Sequence, residues 1–181
     1  MVRLAASMGL APLTGDAGVD RDLLIRVLDQ LHQEDIATAV IVDEAHELDP
    51  GATREIIRRV LDALEASAIP DKELPALAKV LGADLLSDLL GVSEASLRRY
   101  SAGTRSVPDE VASRAHFLSS IVADLRGGYN RFGVRRWFGR RRKLLDGASP
   151  SELLSGGWDP DEAAPQRVAD LAHWLAIPSA S

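Results

Sequence analysis

With 181 residues, 46% of them hydrophobic and 27% charged, the chain can bury one good core or two small ones, which excludes disorder throughout. It contains no cysteine, so disulfide staples, thiol catalysis and cysteine-based zinc sites are excluded, in keeping with a reducing compartment. The net charge of −6 hides a segregation: residues 16–73 carry −9, residues 74–145 carry +7 and residues 146–181 carry −5. A basic middle between acidic ends fits either a set of solvated helix faces or nucleic-acid binding by one module and protein binding by another.

The N-terminus has Arg3 and a weakly apolar stretch to Leu13 but lacks the long apolar centre of a secretory signal. No apolar run approaches the ~20 residues of a membrane helix, so a cytoplasmic protein is expected. Leu23, Leu24, Val27, Leu28 and Leu31 then recur at helical spacing over residues 20–33, with Asp20 as a cap. Residues 50–66 repeat the pattern with Ile56, Ile57, Val60, Leu61 and Leu64, after a capping Asp49 and a first-turn Pro50. Between them, Ala37 to Val42 is a short β-branched run, open to a strand or a buried helix by periodicity and read as a strand. Ile69-Pro70-Asp71 reads as a linker, since proline moves its predecessor out of helical geometry.

The segment Ala39 to His46, AVIVDEAH, imitates the strand-end acidic motif of nucleotide-hydrolysing motors, with Asp43 for magnesium and Glu44 for the attacking water. Such chemistry also needs a phosphate cradle. The nearest stretch, Gly15 to Asp22, has Asp20 and Arg21 where a P-loop needs Gly and Lys, and Asp22 where it needs Ser or Thr. ATP hydrolysis is therefore not expected, and a degenerate ATPase-derived fragment is the weakest reading. His32, His46, His116 and His173 are scattered and read as solvated or core side chains; no metal and no cofactor are expected.

From Pro75 every segment reads as helix: Pro75 to Leu81, Asp84 to Leu90 and Ser93 to Ala102, separated by Gly82 and Gly91-Val92. A longer helix follows Pro108, with Val111, Ala115, Phe117, Leu118, Ile121, Val122 and Leu125 inward, and Gly127-Gly128 stops it. Asn130 to Phe138 is next. Ser149-Pro150-Ser151-Glu152 is a capping box, and Asp159-Pro160 opens a last helix carrying Val168, Leu171, Trp174 and Leu175.

Within this series, Leu85 to Tyr100, LLSDLLGVSEASLRRY, has the pattern of a DNA-binding helix-turn-helix. Leu86, Leu89 and Leu90 face the core, Gly91 takes the tight turn, Val92 plugs the gap, Ser93 caps the second helix and Leu97 points inward. The outer face then offers Ser93, Ser96, Arg98 and Arg99, with Thr104 and Arg105 placed for backbone contact; arginine reads guanine bidentately, and serine serves bases or phosphates. Glu94 on the same face would oppose phosphates. Three structural helices without a nucleic-acid partner is the alternative.

Downstream, Trp137 to Leu154, WFGRRRKLLDGASPSELL, follows a Trp-Phe pair with Leu145, Gly147 and Pro150 at fixed offsets. In order and spacing, residues 81–177 resemble the Xre-type antitoxins of the ParS/MbcA group, in which a helix-turn-helix precedes a toxin-binding domain marked by an arginine-flanked Trp, then Leu, Gly and Pro. The chain departs from that pattern in having the basic run Gly139 to Lys143 where the family often has a proline, which alters the loop's path or adds phosphate contacts. The resemblance does not reach the acidic segment before Ile69.

The resemblance implies an antitoxin that dimerises, binds a RES-domain toxin acting on NAD, and represses its own operon by binding operator DNA. It implies that Arg135, Arg136, Trp137, Phe138, Leu145, Gly147 and Pro150 define the toxin-binding domain. It implies further that the C-terminal part of the antitoxin covers the entrance to the toxin's NAD site and that the last helix with its tail, Trp174 included, lies nearest the toxin. Trp137, Phe138, Leu145 and Leu153 are expected in the core of that domain, since large apolar side chains are usually inside, while Trp158, Trp174 and Ile177 are expected as interface anchors. The expected architecture is thus mainly α: an acidic N-terminal helical segment, 1–69, which holds at most one short strand; a helix-turn-helix domain, 70–126; and a C-terminal helical toxin-binding domain, 127–181. The expected protein is a non-enzymatic antitoxin, and the other reading of the same residues is a stand-alone DNA-binding transcriptional regulator.

Overall fold

Apolar side chains recur at three- and four-residue spacing along nearly the whole chain, and helices are what that spacing builds. The computed structural model describes residues 2–10, 21–34, 36–37 and 50–176. Among them every regular element is helical and none is a strand. Most of the segment read as a strand, residues 38–42, and all of the AVIVDEAH motif including His46 lie outside the described residues, as do residues 11–20 and Ile177.

The N-terminal part consists of α1 (Val2–Ser7), α2 (Arg21–Gln33) and α3 (Pro50–Glu65). Val27, Leu28 and Leu31 of α2 and Val60 and Leu64 of α3 are buried together with Leu4, Ala5 and Met8 from the first ten residues. The weakly apolar N-terminus is therefore a short helix and a following turn, in which Leu4 and Met8 are both buried and Met8 N–H donates to Leu4 O. That α1 packs on α7 (Asp109–Leu125) and α4 (Pro70–Leu81), and Ala123 of α7 joins its cluster.

A linker was expected at Ile69-Pro70-Asp71, and the structure corrects this: α4 begins there, with Ile69 as N-cap and Pro70 in the first turn. A proline at that position forfeits no intrahelical bond and arrives with helical φ. Ile69 is itself buried, its carbonyl accepts from the N–H groups of Lys72 and Glu73, and its own N–H donates to the Glu73 carboxylate. Pro75, expected to start this helix, falls inside it.

The remaining helices are α5 (Ala83–Leu90), α6 (Glu94–Ser101), α8 (Arg131–Phe138), a 3₁₀ turn at Lys143–Leu145, α9 (Pro150–Leu153) and α10 (Ala163–Ala176). One hydrophobic cluster runs through them, from Leu74 and Leu77 of α4, through Leu118 and Val122 of α7 and Trp137 and Phe138 of α8, to Val168 and Ala172 of α10. The same cluster packs on both sides of the Gly127–Asn130 turn, where the sequence suggested a domain boundary. Asn130 caps α8 by accepting from Gly133 N–H, and Ser149 and Glu152 form the expected capping box at α9.

The last helix differs from expectation in where it starts. It opens at Ala163 instead of after Asp159, because the Asp159 carboxylate takes the N–H of Asp161 in a turn. Trp174 and Leu175 are 76% and 44% exposed. Val168 and Ala172, four apart, take the core side of α10, and at about 100° per residue Trp174 lies ~240° round from Val168. No described helix is long and apolar enough to cross a membrane.

Candidate nucleic-acid interface

Leu86, Leu89 and Leu90 of α5 and Leu97 of α6 are at most 2% exposed, so the two short helices are fixed by their shared apolar side. Between them Gly91 adopts φ +68°, a left-handed conformation that glycine enters without penalty. There is a second reason for glycine: a Cβ at this position would lie 2.5 Å from the carbonyl oxygen of Gly156. The loop after α9 is thus pressed against the turn.

An α-helix leaves its last four carbonyls without intrahelical donors, and in α5 each of the four has found one elsewhere. Ser87 O accepts from Val92 N–H and Asp88 O from Gly91 N–H. Leu89 O accepts from the indole N–H of Trp158 at 2.8 Å, and Leu90 O from the Arg114 guanidinium at 3.1 Å. Arg114 also donates to the Trp158 carbonyl at 2.6 Å, and its guanidinium lies 5.9 Å from the Trp158 ring centre. Side chains from α7 and from just before α10 therefore fix the turn between α5 and α6. This corrects the expectation that Trp158 is an interface anchor: it is 4% exposed and packed edge-on against Phe117.

On α6, Ser93 accepts from Ser96 N–H and donates to the Ser96 hydroxyl, both at 3.1 Å. Its side chain is committed to the helix start. Arg98 and Arg99 are exposed on the outer face, Arg98 with its Nε reaching back to Glu94 O. Thr104 donates to Arg99 O, and the Arg105 guanidinium sits 5.4 Å from the Tyr100 ring centre. Along the helix and its following loop Arg98, Arg99, Thr104 and Arg105 are exposed and Ser96 is half-buried, while Glu94 is exposed at the N-terminal turn.

The Trp-Phe motif is brought together as scaffold. Trp137, Phe138 and Leu145 are at most 2% exposed, and the two aromatic rings meet edge to face at 5.2 Å. Gly147 has φ +84° and Pro150 is buried at the start of α9, whereas Leu153 is half-buried. The Arg142 guanidinium lies 4.9 Å from the Trp137 ring centre, and burial holds its pKa below the ordinary arginine value, with the charge of Arg140 acting in the same direction. Arg135 is exposed yet donates from Nε to Val80 O at 2.9 Å, and Arg136 is exposed. Trp174 stands apart from this set, on the outer side of α10.

A coupling that residue types and spacing did not reveal is His116 with Glu73. The Glu73 carboxylate is fully buried, accepts from His116 Nδ1 at 2.7 Å and from Ile69 N–H, while His116 Nε2 meets Glu65 O at 2.9 Å. Both ring nitrogens face acceptors, which favours the imidazolium. Burial works to lower the His116 pKa, but the hydrogen bond and charge of Glu73 outweigh it and the pKa is raised. His116, Arg114, Phe117 and Trp158 line an open cleft of about 650 Å³ together with Glu110 and Asp161. Arg114 and His116 both spend their hydrogen bonds within the protein.

Compared with known protein families, with curated proteins and with solved structures, the chain matches none.

Proposed function

We propose that this chain is the antitoxin of a toxin–antitoxin pair: it neutralises a RES-type, NAD-degrading toxin by covering the toxin's active site, and it represses its own transcription through the α5–α6 unit. It does so in the cytoplasm, as a homodimer, with no catalytic role and no cofactor of its own. The observation that carries this reading is one core with two dissimilar outward surfaces. One is the polar and basic face of α6, with Arg98 and Arg99; the other is the final helix, where Trp174 is 76% exposed. A tryptophan that leaves most of its ring in water is the kind of side chain that anchors a protein interface. The motif of Trp137, Leu145, Gly147 and Pro150 supports the family resemblance; Trp137, Leu145 and Pro150 are buried, as a scaffold carrying α10 would have them, while Gly147 is exposed in a left-handed turn.

The test is co-expression with the product of the neighbouring reading frame. The expected result is a stoichiometric complex and rescue of growth, both lost in Trp174→Glu while the variant's thermal unfolding stays that of the parent. Removing everything from Tyr129 onward is a poor substitute, because it also strips Trp137, Phe138 and Trp158 from the common core. Absence of any complex with the neighbouring product, with retained operator binding, would leave the stand-alone regulator as the reading.

A further inference from the structure

Between Arg126 and Leu145 the chain has eight cationic side chains and no carboxylate. Several of them serve the fold: Arg135 donates to Val80 O, Arg141 pairs with Glu152 at 2.6 Å, and Arg142 packs over Trp137. Arg136, Arg140 and Lys143 are exposed and make no ion pair among the described residues. Arg131 reaches Lys79 O at the end of α4, and Lys79 is exposed beside it. This surface adjoins the helix-turn-helix: a Cβ at Gly82, the residue just before α5, would stand 2.6 Å from the Asp84 carboxylate and 2.9 Å from the Arg135 guanidinium.

In a helix-turn-helix the second helix enters the major groove while the first crosses the sugar–phosphate backbone. A DNA backbone crossing α5 would pass the α4–α5 corner, where Asp84 lies beside Arg135 and α8 begins its row of cations, so the cations of α8 would have to outweigh the exposed Asp84 and Asp88. We propose that α8 and the Arg140–Lys143 run form a second phosphate-binding surface, with Arg136, Arg140 and Lys143 as its principal contacts, that grips the DNA backbone beyond the bases read by α6. This rests on the reading of α5–α6 as a DNA-binding unit. Such contacts set affinity and register without reading sequence, since phosphates are common to every base pair.

The experiment compares the full-length chain with Arg136→Gln/Arg140→Gln/Lys143→Gln and, separately, with Arg98→Gln/Arg99→Gln. The probe is duplex DNA from upstream of the chain's own reading frame, titrated over a range of salt concentrations, with an unrelated duplex alongside. Each phosphate neutralised contributes about 0.9 to the slope of log affinity against log salt. The α8-loop variant is therefore expected to lose about 2.7 from that slope and roughly tenfold or more in affinity at low salt, equally on both duplexes. A matched Arg→Lys variant at positions 136 and 140 should retain the parent slope, which separates charge from any structural effect. If the α8-loop variant keeps the parent's affinity and slope while the α6 variant loses binding, the second surface is refuted and the helix-turn-helix reading stands. If the parent binds neither duplex, both fall. If the α8-loop variant keeps DNA binding but changes the chain's size in solution, the basic face meets acidic residues of a second copy and the proposal is overturned.

Discussion

Replacing Trp158 with phenylalanine keeps a ring against Phe117 and deletes the N–H that reaches Leu89 O at 2.8 Å. Leu89 is 1% exposed, and its carbonyl lies in the last turn of α5, where no intrahelical donor is in reach. A buried carbonyl left without a partner costs about 1–3 kcal/mol, and the missing half of the indole leaves a void worth on the order of 1 kcal/mol more. The expected destabilisation is therefore about 2–4 kcal/mol. With a urea dependence of roughly 2 kcal/mol per molar for a small protein, the unfolding midpoint should fall by about 1–2 M. Hydrogen exchange should show the same loss locally, with faster exchange at the Gly91 and Val92 amides, which themselves cap α5. Stability within about 0.5 kcal/mol of the parent, the range of an uneventful surface change, together with unchanged exchange at those two amides, would refute the claim that Trp158 holds the turn.

Gly91→Ala should cost about 2 kcal/mol or more, combining left-handed strain of ~1–2 kcal/mol with the clash against Gly156 O. Gly103→Ala, at φ +65° with open space around it, carries only the strain; thermal melts that rank Gly103→Ala as the worse of the two would contradict the packing of the turn. Ser149→Ala removes the capping box of α9 and should cost about 1 kcal/mol, read from urea midpoints. His116→Gln tests the buried pair by its pH dependence. Because the folded His116 pKa is raised, its stabilisation is complete below the unfolded value of about 6.5 and is lost as pH rises through the folded value. The stability difference between parent and His116→Gln should accordingly be largest near pH 6 and shrink toward pH 9, and a difference that stays flat or grows would show that the imidazolium–Glu73 pair is not its source.

Periodicity located the longer helices because each buries one continuous stripe, but not the six-residue α1, and the helical spacing of α5 and α6 was legible in detail. Leucine spacing, Gly91 at the turn and Ser93 at the cap are all local signals, carried by residues within a few positions of one another. What escaped were contacts closed over long separations. Nothing near Trp158 announces that its indole ends α5, nor does anything near His116 point to Glu73, because each partner is an ordinary residue type at an unremarkable position. On α10 the division is not one that composition gives: Val168 and Ala172 are buried, while the equally apolar Trp174 and Leu175 are exposed. At Ile69-Pro70 the error was one of polarity, since the same proline that ends a helix behind it begins one ahead of it.

The long-range contacts also bear on how the chain can work. Two of the four terminal carbonyls of α5 depend on Arg114 and on Trp158, and Gly156 lies against the turn glycine. Trp158 stands only five residues before α10, and α10 packs along α7, the helix that carries Arg114. The face that presents Arg98 and Arg99 and the helix that presents Trp174 are thus linked through the hydrogen bonds of Trp158 and Arg114 and through one hydrophobic cluster. Under the proposed function, a partner seated on α10 and DNA seated on α6 would meet one rigid body. Weakening Trp158 should then lower DNA affinity as well as stability, although the residue touches no DNA.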